Sequence, residues 1–302
     1  MTFLAFEQEI TATAPGSPSS AQSDLEVHAL GKEHKAEVLA FLAARPVHTV
    51  FLAGLIRDNG LVSDLNRGTY YACLDRQGRL EGVALIGHFT LIEARTEEAR
   101  ARFARLAQDC PSAHLILGEK NKVEAFWNYF AKTGRTPRRV CRQLLLEQQA
   151  AIEPLETVSG LRLATPNDLP RVLPVYAQMV CQESGVNPLE EDPVGFHDRW
   201  MRRIEQGRVW VWTENGRLIF NADLMSVTPE VIYLEGIYVN PDERGKGYGL
   251  RCLSQLSRNL LQRAKSLCIL VNERNQPAQA FYQKAGYRFN EYYDTIYLHL
   301  KN

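Results

Sequence analysis

Apolar residues recur along this chain at strand-like and helix-like spacings, and the same run of short elements is traversed twice. From Leu25 a short strand leads into a helical region through Val38, Leu39, Phe41 and Leu42, with further apolar character over Val50 to Ile56. Tyr70 to Leu74 and Val83 to Ile86 flank Asp75-Arg-Gln-Gly78-Arg, which predicts a hairpin. Glu97 to Gln108 is predicted helical and Leu115-Ile-Leu a short strand. After a polar stretch from Gln148 to Ser159, Leu161-Arg-Leu-Ala opens a second series. Thr165-Pro-Asn-Asp168 is a helix-start signal before Leu169, Val172, Leu173 and Tyr176. Residues 184–195 are expected to form a polar loop, followed by a helix over Phe196 to Glu205. Val209-Trp-Val-Trp-Thr and Leu218 to Met225 flank the turn Glu214-Asn-Gly-Arg.

Short sequence matches support the repetition. Glu119-Lys-Asn121 returns as Glu273-Arg-Asn275, Ala125-Phe-Trp as Ala280-Phe-Tyr, Lys132-Thr-Gly134 as Lys284-Ala-Gly286, and Gly78-Arg-Leu as Gly216-Arg-Leu. An internal repeat of this length implies two domains of one fold. The expected division is a disordered segment over 1–23, small, polar and broken by proline; a first domain over 24–147; a linker over 148–158; and a second domain over 159–302.

Chemistry concentrates in the second copy. Val231, Ile232, Tyr233, Ile237, Tyr238 and Val239 predict a buried strand that Asn240-Pro241-Asp242 terminates. Gly245, Gly247 and Gly249 then open an amphipathic helix carrying Leu250, Leu253, Leu256 and Leu260. A glycine-rich helix start suits an anion, because the first amides have no partner inside the helix. The spacing departs from a nucleoside-triphosphate loop, since Lys246 is followed by Gly-Tyr rather than by a hydroxyl residue for magnesium. It departs from a dinucleotide fingerprint as well, in spacing and in its late position. Gly236, inside the apolar strand, predicts a bulge or a close backbone approach.

Arg244-x-x-Gly247-x-Gly249 after a strand ending Val-Asn-Pro resembles the pyrophosphate loop of the GNAT N-acetyltransferases, which bind acetyl-coenzyme A. The later run from Asn275 through Ala278 to Phe281-Tyr282-Gln-Lys284-Ala-Gly286-Tyr resembles the last helix of that family. The likeness covers about residues 159–302 and implies a mixed-sheet α/β (α+β) fold, here as two tandem GNAT-like domains. The first copy enters its corresponding helix through Ile92-Glu-Ala-Arg-Thr-Glu97-Glu98, with no glycine and with two carboxylates that would repel a pyrophosphate. It is expected to be degenerate and to pack against the second copy.

By resemblance, the backbone of Arg244, Gly245, Lys246, Gly247, Tyr248 and Gly249 holds the pyrophosphate, and that of Ile237, Tyr238 and Val239 pairs with the pantetheine arm. Asn275 is expected to contact the arm. Glu235 is the candidate general base, a carboxylate in an apolar strand that needs a wet cleft or a partner. Tyr282 matches the tyrosine that serves as acid to the leaving thiolate. The implied activity is transfer of an acetyl group from acetyl-CoA to a primary amine, on a small molecule or a peptide N-terminus. A non-catalytic acyl-CoA-binding regulator is the alternative; both need the glycine loop, but only the enzyme needs Glu235 and Tyr282. Glu183, Glu190, Glu191 and Asp192 would suit a cationic acceptor.

Composition narrows the partners. The 302 residues carry 35 basic and 35 acidic side chains, so no net field favours nucleic acid or an anionic membrane. No apolar run approaches the roughly twenty residues that span a bilayer, and the first ten residues lack the positive charge of a signal peptide. A cytoplasmic protein is expected. Six scattered cysteines and seven unclustered histidines predict no disulfide and no metal site.

Overall fold

The computed structural model describes residues 25–153 and 156–299. The expected disordered segment lies outside them. In the first half come β1 (Glu26–Ala29), α1 (Lys35–Leu42), α2 (Pro46–Asn59), β2 (Gly68–Leu74), β3 (Leu80–Gly87), β4 (Phe89–Ala94), α3 (Glu97–Gln108), β5 (Leu115–Glu119), α4 (Lys120–Phe130) and β6 (Pro137–Gln148). The second half follows the same order with β7 (Arg162–Leu163), α5 (Leu169–Ser184), α6 (Pro188–Glu191), α7 (Pro193–Glu205), β8 (Val209–Glu214), β9 (Arg217–Val227), β10 (Val231–Val239), α8 (Tyr248–Leu261), β11 (Ser266–Asn272), α9 (Gln276–Lys284) and β12 (Arg288–Leu298). The repeat extends to backbone conformation: Gly78 and Gly216 both turn at φ 75°, and Gly134 and Gly286 end matching helices at φ 79° and 96°.

All twelve strands join one mixed sheet in the order β1-β2-β3-β4-β5-β12-β6-β11-β10-β9-β8-β7. Each half therefore gives its last strand to the other. β12 pairs with β5 of the first half, from Tyr293 opposite Glu119 to Tyr297 opposite Leu115, while β6 pairs with β11, from Gln148 opposite Leu267 to Gln143 opposite Asn272. β6 and β12 then lie antiparallel to each other along almost their whole length. The exchange covers an open edge on both halves, and unpaired edges invite unwanted pairing. It also welds the halves into one body.

Alternating side chains send the helices to two layers. Leu146, Ile269 and Ile232 face α8 and α9, and Ile116 and Ile296 face α3 and α4. Leu145, Cys268 and Tyr233 face the other side, where α2 brings Val50 against them; Val209 and Val211 face α5 and α7 on that same side. Helix α2 crosses the seam: a Cβ on Gly54 would lie 2.5 Å from Ser226 Oγ, and Asp58 accepts from Arg208 Nη2 at 2.7 Å.

The expected loop over 184–195 is instead largely helical. Asn187 and Asp192 cap α6 and α7 through bonds from Leu189 N at 3.1 Å and Gly195 N at 2.9 Å, and Pro188 and Pro193 follow the caps in the first turn. Polar composition there reflects two helix starts in succession.

Candidate active site

Strand β10 parts from β11 halfway along. Their parallel pairing runs from Val231 opposite Ser266 to Leu234 opposite Ile269 and stops. On its other edge β10 stays with β9, but Glu235 opposes Asp223 while Tyr238 opposes Asn221, so one extra residue is accommodated. This is the bulge that Gly236 suggests, and it has φ 61°. Asn221 Nδ2 donates to Gly236 O at 2.6 Å and holds the bulge from the neighbouring strand. Because Asn240 N donates to Ile219 O, the ladder with β9 uses Tyr238 and Asn240. By alternation, Ile237 and Val239 turn their backbone groups toward the gap before β11.

The glycine segment closes one end of that gap. The Asn240 side chain accepts from Asp242 N at 3.1 Å, and Gly245 and Gly247 take φ 77° and 80°, so successive amides curl into the concave form that binds anions. No atom lies within 4 Å of the Cβ position at either glycine, which leaves room for a ligand. Among the described residues, the amides of Gly245 through Gly249 have no backbone or side-chain partner. Gly249 is needed for a different reason: its Cβ position lies 2.7 Å from Val239 Cγ2 and 3.3 Å from Phe281, where α8 rests on the strand. Arg244 Nε donates to Val239 O at 3.1 Å, and Lys246 pairs with Glu243 at 2.8 Å. Tyr248 lies edge-on to Trp212. Asn275 caps α9, its side-chain oxygen accepting from Ala278 N at 3.2 Å, with the amide nitrogen left over.

Glu235 reaches the same gap from below. Its side chain is open to solvent, while Leu234 and Gly236 on either side of it are buried. Its pKa is raised to about 7, chiefly by desolvation, with Glu183 and Asp223 adding to the effect and Arg203 opposing it. Fully buried Asp223, directly across the ladder, is held by Arg203 through Nε at 3.0 Å and through Nη2. Tyr282 is buried on α9 and stands 6.0 Å from the Tyr287 ring, centroid to centroid. Burial pushes its phenol well above the ordinary value, so it stays protonated at neutral pH. The Tyr238 side chain instead joins the core under α5 and α7 and its backbone belongs to the ladder with β9, so of the three expected strand residues Ile237 and Val239 face the gap and Tyr238 does not.

Sequence reasoning missed Arg203, Asp223, Asn221 and Tyr176. Asn221 and Asp223 alternate within Leu218 to Met225, and two polar residues on one face of a buried strand were the available signal.

The first half has the same geometry in a closed form. β4 pairs with β5 only from Phe89 to Leu91, and Glu93 and Glu119 follow where pairing ends. Arg45, preceding α2, donates to Glu93 at 3.0 and 3.1 Å and to Glu119 at 2.9 and 2.6 Å. Lys122 reaches both carboxylates at 2.9 Å. Only Arg95 and Thr96 connect β4 to α3, and Thr96 caps that helix by accepting from Ala99 N at 3.2 Å. Four charges fill the gap, and the helix start is taken by its own cap and two glutamates.

Residues 176–287 match the model of the acetyltransferase (GNAT) family. Among solved structures, the fold is similar to a Drosophila protein with TM-score 0.63 and 14% identity, covering 93% of this chain and 100% of that one. It is similar to a GCN5-related N-acetyltransferase from Sphaerobacter thermophilus with TM-score 0.58 and 13% identity, covering 92% and 96%. A tandem GNAT protein from the clavulanic acid biosynthesis pathway matches with TM-score 0.56 and 13% identity, over 92% of this chain and 100% of that one. Residues 176–287 thus form a GNAT domain by the family model, within a chain whose overall fold is that of a tandem GNAT protein.

Proposed function

We propose that the second half transfers an acetyl group from acetyl-CoA to a primary amine. The observation that carries this reading is the bulge at Gly236, which turns the backbone of Ile237 and Val239 toward a gap that has the unpartnered amides of Gly245 to Gly249 at one end and Glu235 beneath it. The residues fit the cofactor. Free amides and two left-handed glycines suit a pyrophosphate, with Arg244 adding positive charge, and an extended arm can pair with Ile237 and Val239 as an added strand. Asn275 keeps an amide nitrogen for the arm.

When bound, acetyl-CoA supplies an activated thioester. Glu235, raised to about 7, takes a proton from the acceptor ammonium, directly or through water. A backbone N–H of the bulged strand polarises the thioester carbonyl; loss of such a donor typically costs about 2.7–4 kcal/mol at the transition state. Tyr282 gives a hydrogen bond to the departing thiolate, and positioning carries this role because an ordinary phenol at about 10 is a weaker acid than a thiol at about 8.5. Thiol release from acetyl-CoA with a panel of amines tests the proposal. Turnover with at least one amine, lost in Glu235→Gln, is expected; binding of acetyl-CoA with no turnover of any amine would favour a regulator that senses acyl-CoA.

A further inference from the structure

Strand β6 belongs to the first half in sequence, yet its opening residues border the second half's cleft on the side of Glu235. Cys141 Sγ lies 3.7 Å from Glu183 O, at the end of α5. The register against β12 slips at this point: Arg139 opposes Tyr297 and Pro137 opposes Leu298, so Arg138 is the extra residue of a bulge. A bulge re-aims side chains, and here it brings two consecutive arginines to one place. Arg138 Nη1 lies 3.6 Å, and Arg139 Nη1 3.7 Å, from the Cβ position of Gly185. Arg138 also stands over the Tyr297 ring at 5.6 Å, and its Nη2 is buried with no hydrogen-bond partner. Among the described residues neither guanidinium has a carboxylate partner within ion-pair distance. Glu183, Glu235 and the exposed Arg139 all act electrostatically on Tyr297, and Arg139 acts on Glu183 as well, so the acids and the guanidinium groups are neighbours around that ring.

We propose that this cluster selects an acceptor amine that also carries a carboxylate, as an amino acid does, with its ammonium beside Glu183 and Glu235 and its carboxylate on Arg138 and Arg139. The proposal rests on the acetyl-transfer reading above. Paired guanidinium forks match a planar carboxylate, and a half-buried guanidinium without an anion is costly. A polycation would meet both arginines and be repelled. In this arrangement the first half, which has no open cofactor gap, supplies the specificity of the second.

The experiment measures thiol release from acetyl-CoA with L-amino acids, their methyl esters and simple alkylamines, for the full chain and for an Arg138→Gln/Arg139→Gln double variant. The wild type should favour a free acid over its ester by at least about tenfold in kcat/KM, as expected for charge-assisted bonds, and the variant should lose that preference. General damage to the fold would lower both rates and leave their ratio. Esters or alkylamines used as well as acids by the wild type, or a preference that survives in the variant, would overturn the proposal while acetyl transfer stood. Thiol release with none of these amines would overturn both.

Discussion

The Tyr176 ring occupies the space that any side chain at residue 236 would need: a Cβ on Gly236 would lie 2.3 Å from Tyr176 Cε1. The same glycine has φ 61° and gives its carbonyl to Asn221. Bulge, aromatic packing and the neighbouring strand thus converge on one backbone position. Gly236→Ala should destabilise the chain by about 1–3 kcal/mol from strain and overpacking and weaken acetyl-CoA binding. Denaturant unfolding followed by calorimetry checks both; unchanged affinity would separate the bulge from the cofactor.

Turnover should rise with pH through about 7, because Glu235 must be ionised to accept a proton and its pKa is raised to about that value. Glu235→Gln should lower kcat by about 10²–10⁴, remove the inflection and leave acetyl-CoA affinity nearly intact. Folding carries the opposite sign. The carboxyl rises from 4.5 to about 7 on folding, so the stability its protonated form contributes is present below the lower value and is lost as pH climbs through the upper one. Unfolding at pH 8 should therefore find Glu235→Gln no less stable than the wild type.

Tyr282→Phe isolates the acid. Burial raises the phenol, so Tyr282 adds no inflection of its own near neutral pH. The variant should bind acetyl-CoA normally and turn over at least about tenfold more slowly, the lower end expected for a lost hydrogen bond to an ionised group. Equal turnover would leave Tyr282 a core residue.

The charge cluster of the first half should behave as structure. Arg45→Ala leaves Lys122, at 2.9 Å from each, as the nearest cation to Glu93 and Glu119, with His48 3.9 Å from Glu119, and breaking such a pair costs about 3 kcal/mol. Glu93, only 7% exposed and already raised to about 6, should then titrate still higher. Chemical denaturation measures the loss, and NMR of the carboxyl carbon follows the titration.

Much of this was legible in the chain. Glycine inside Tyr-Leu-Glu-Gly-Ile-Tyr pointed to the bulge, and the repeated Lys-x-Gly pattern of the two halves was visible as Lys132-Thr-Gly134 and Lys284-Ala-Gly286. The exchange of β6 and β12 was not. Both strands alternate in the same way, and both halves offer the same slot beside their fifth strand, so local sequence cannot say which slot each fills. The cluster of Arg45, Glu93, Glu119 and Lys122 was hidden for a related reason: its members come from separate elements, and only the fold brings them together. The two arginines of β6 acquire meaning only through the exchange, which carries them to the other half's cleft.

The most direct test is calorimetric titration of the full chain with acetyl-CoA, alongside a Gly247→Glu variant that puts bulk and negative charge where Gly247, at φ 80°, has nothing within 4 Å. The account predicts one site per chain, with micromolar affinity on the order of −8 kcal/mol, and its loss in the variant. No binding to the wild type, or equal binding to the variant, would contradict it.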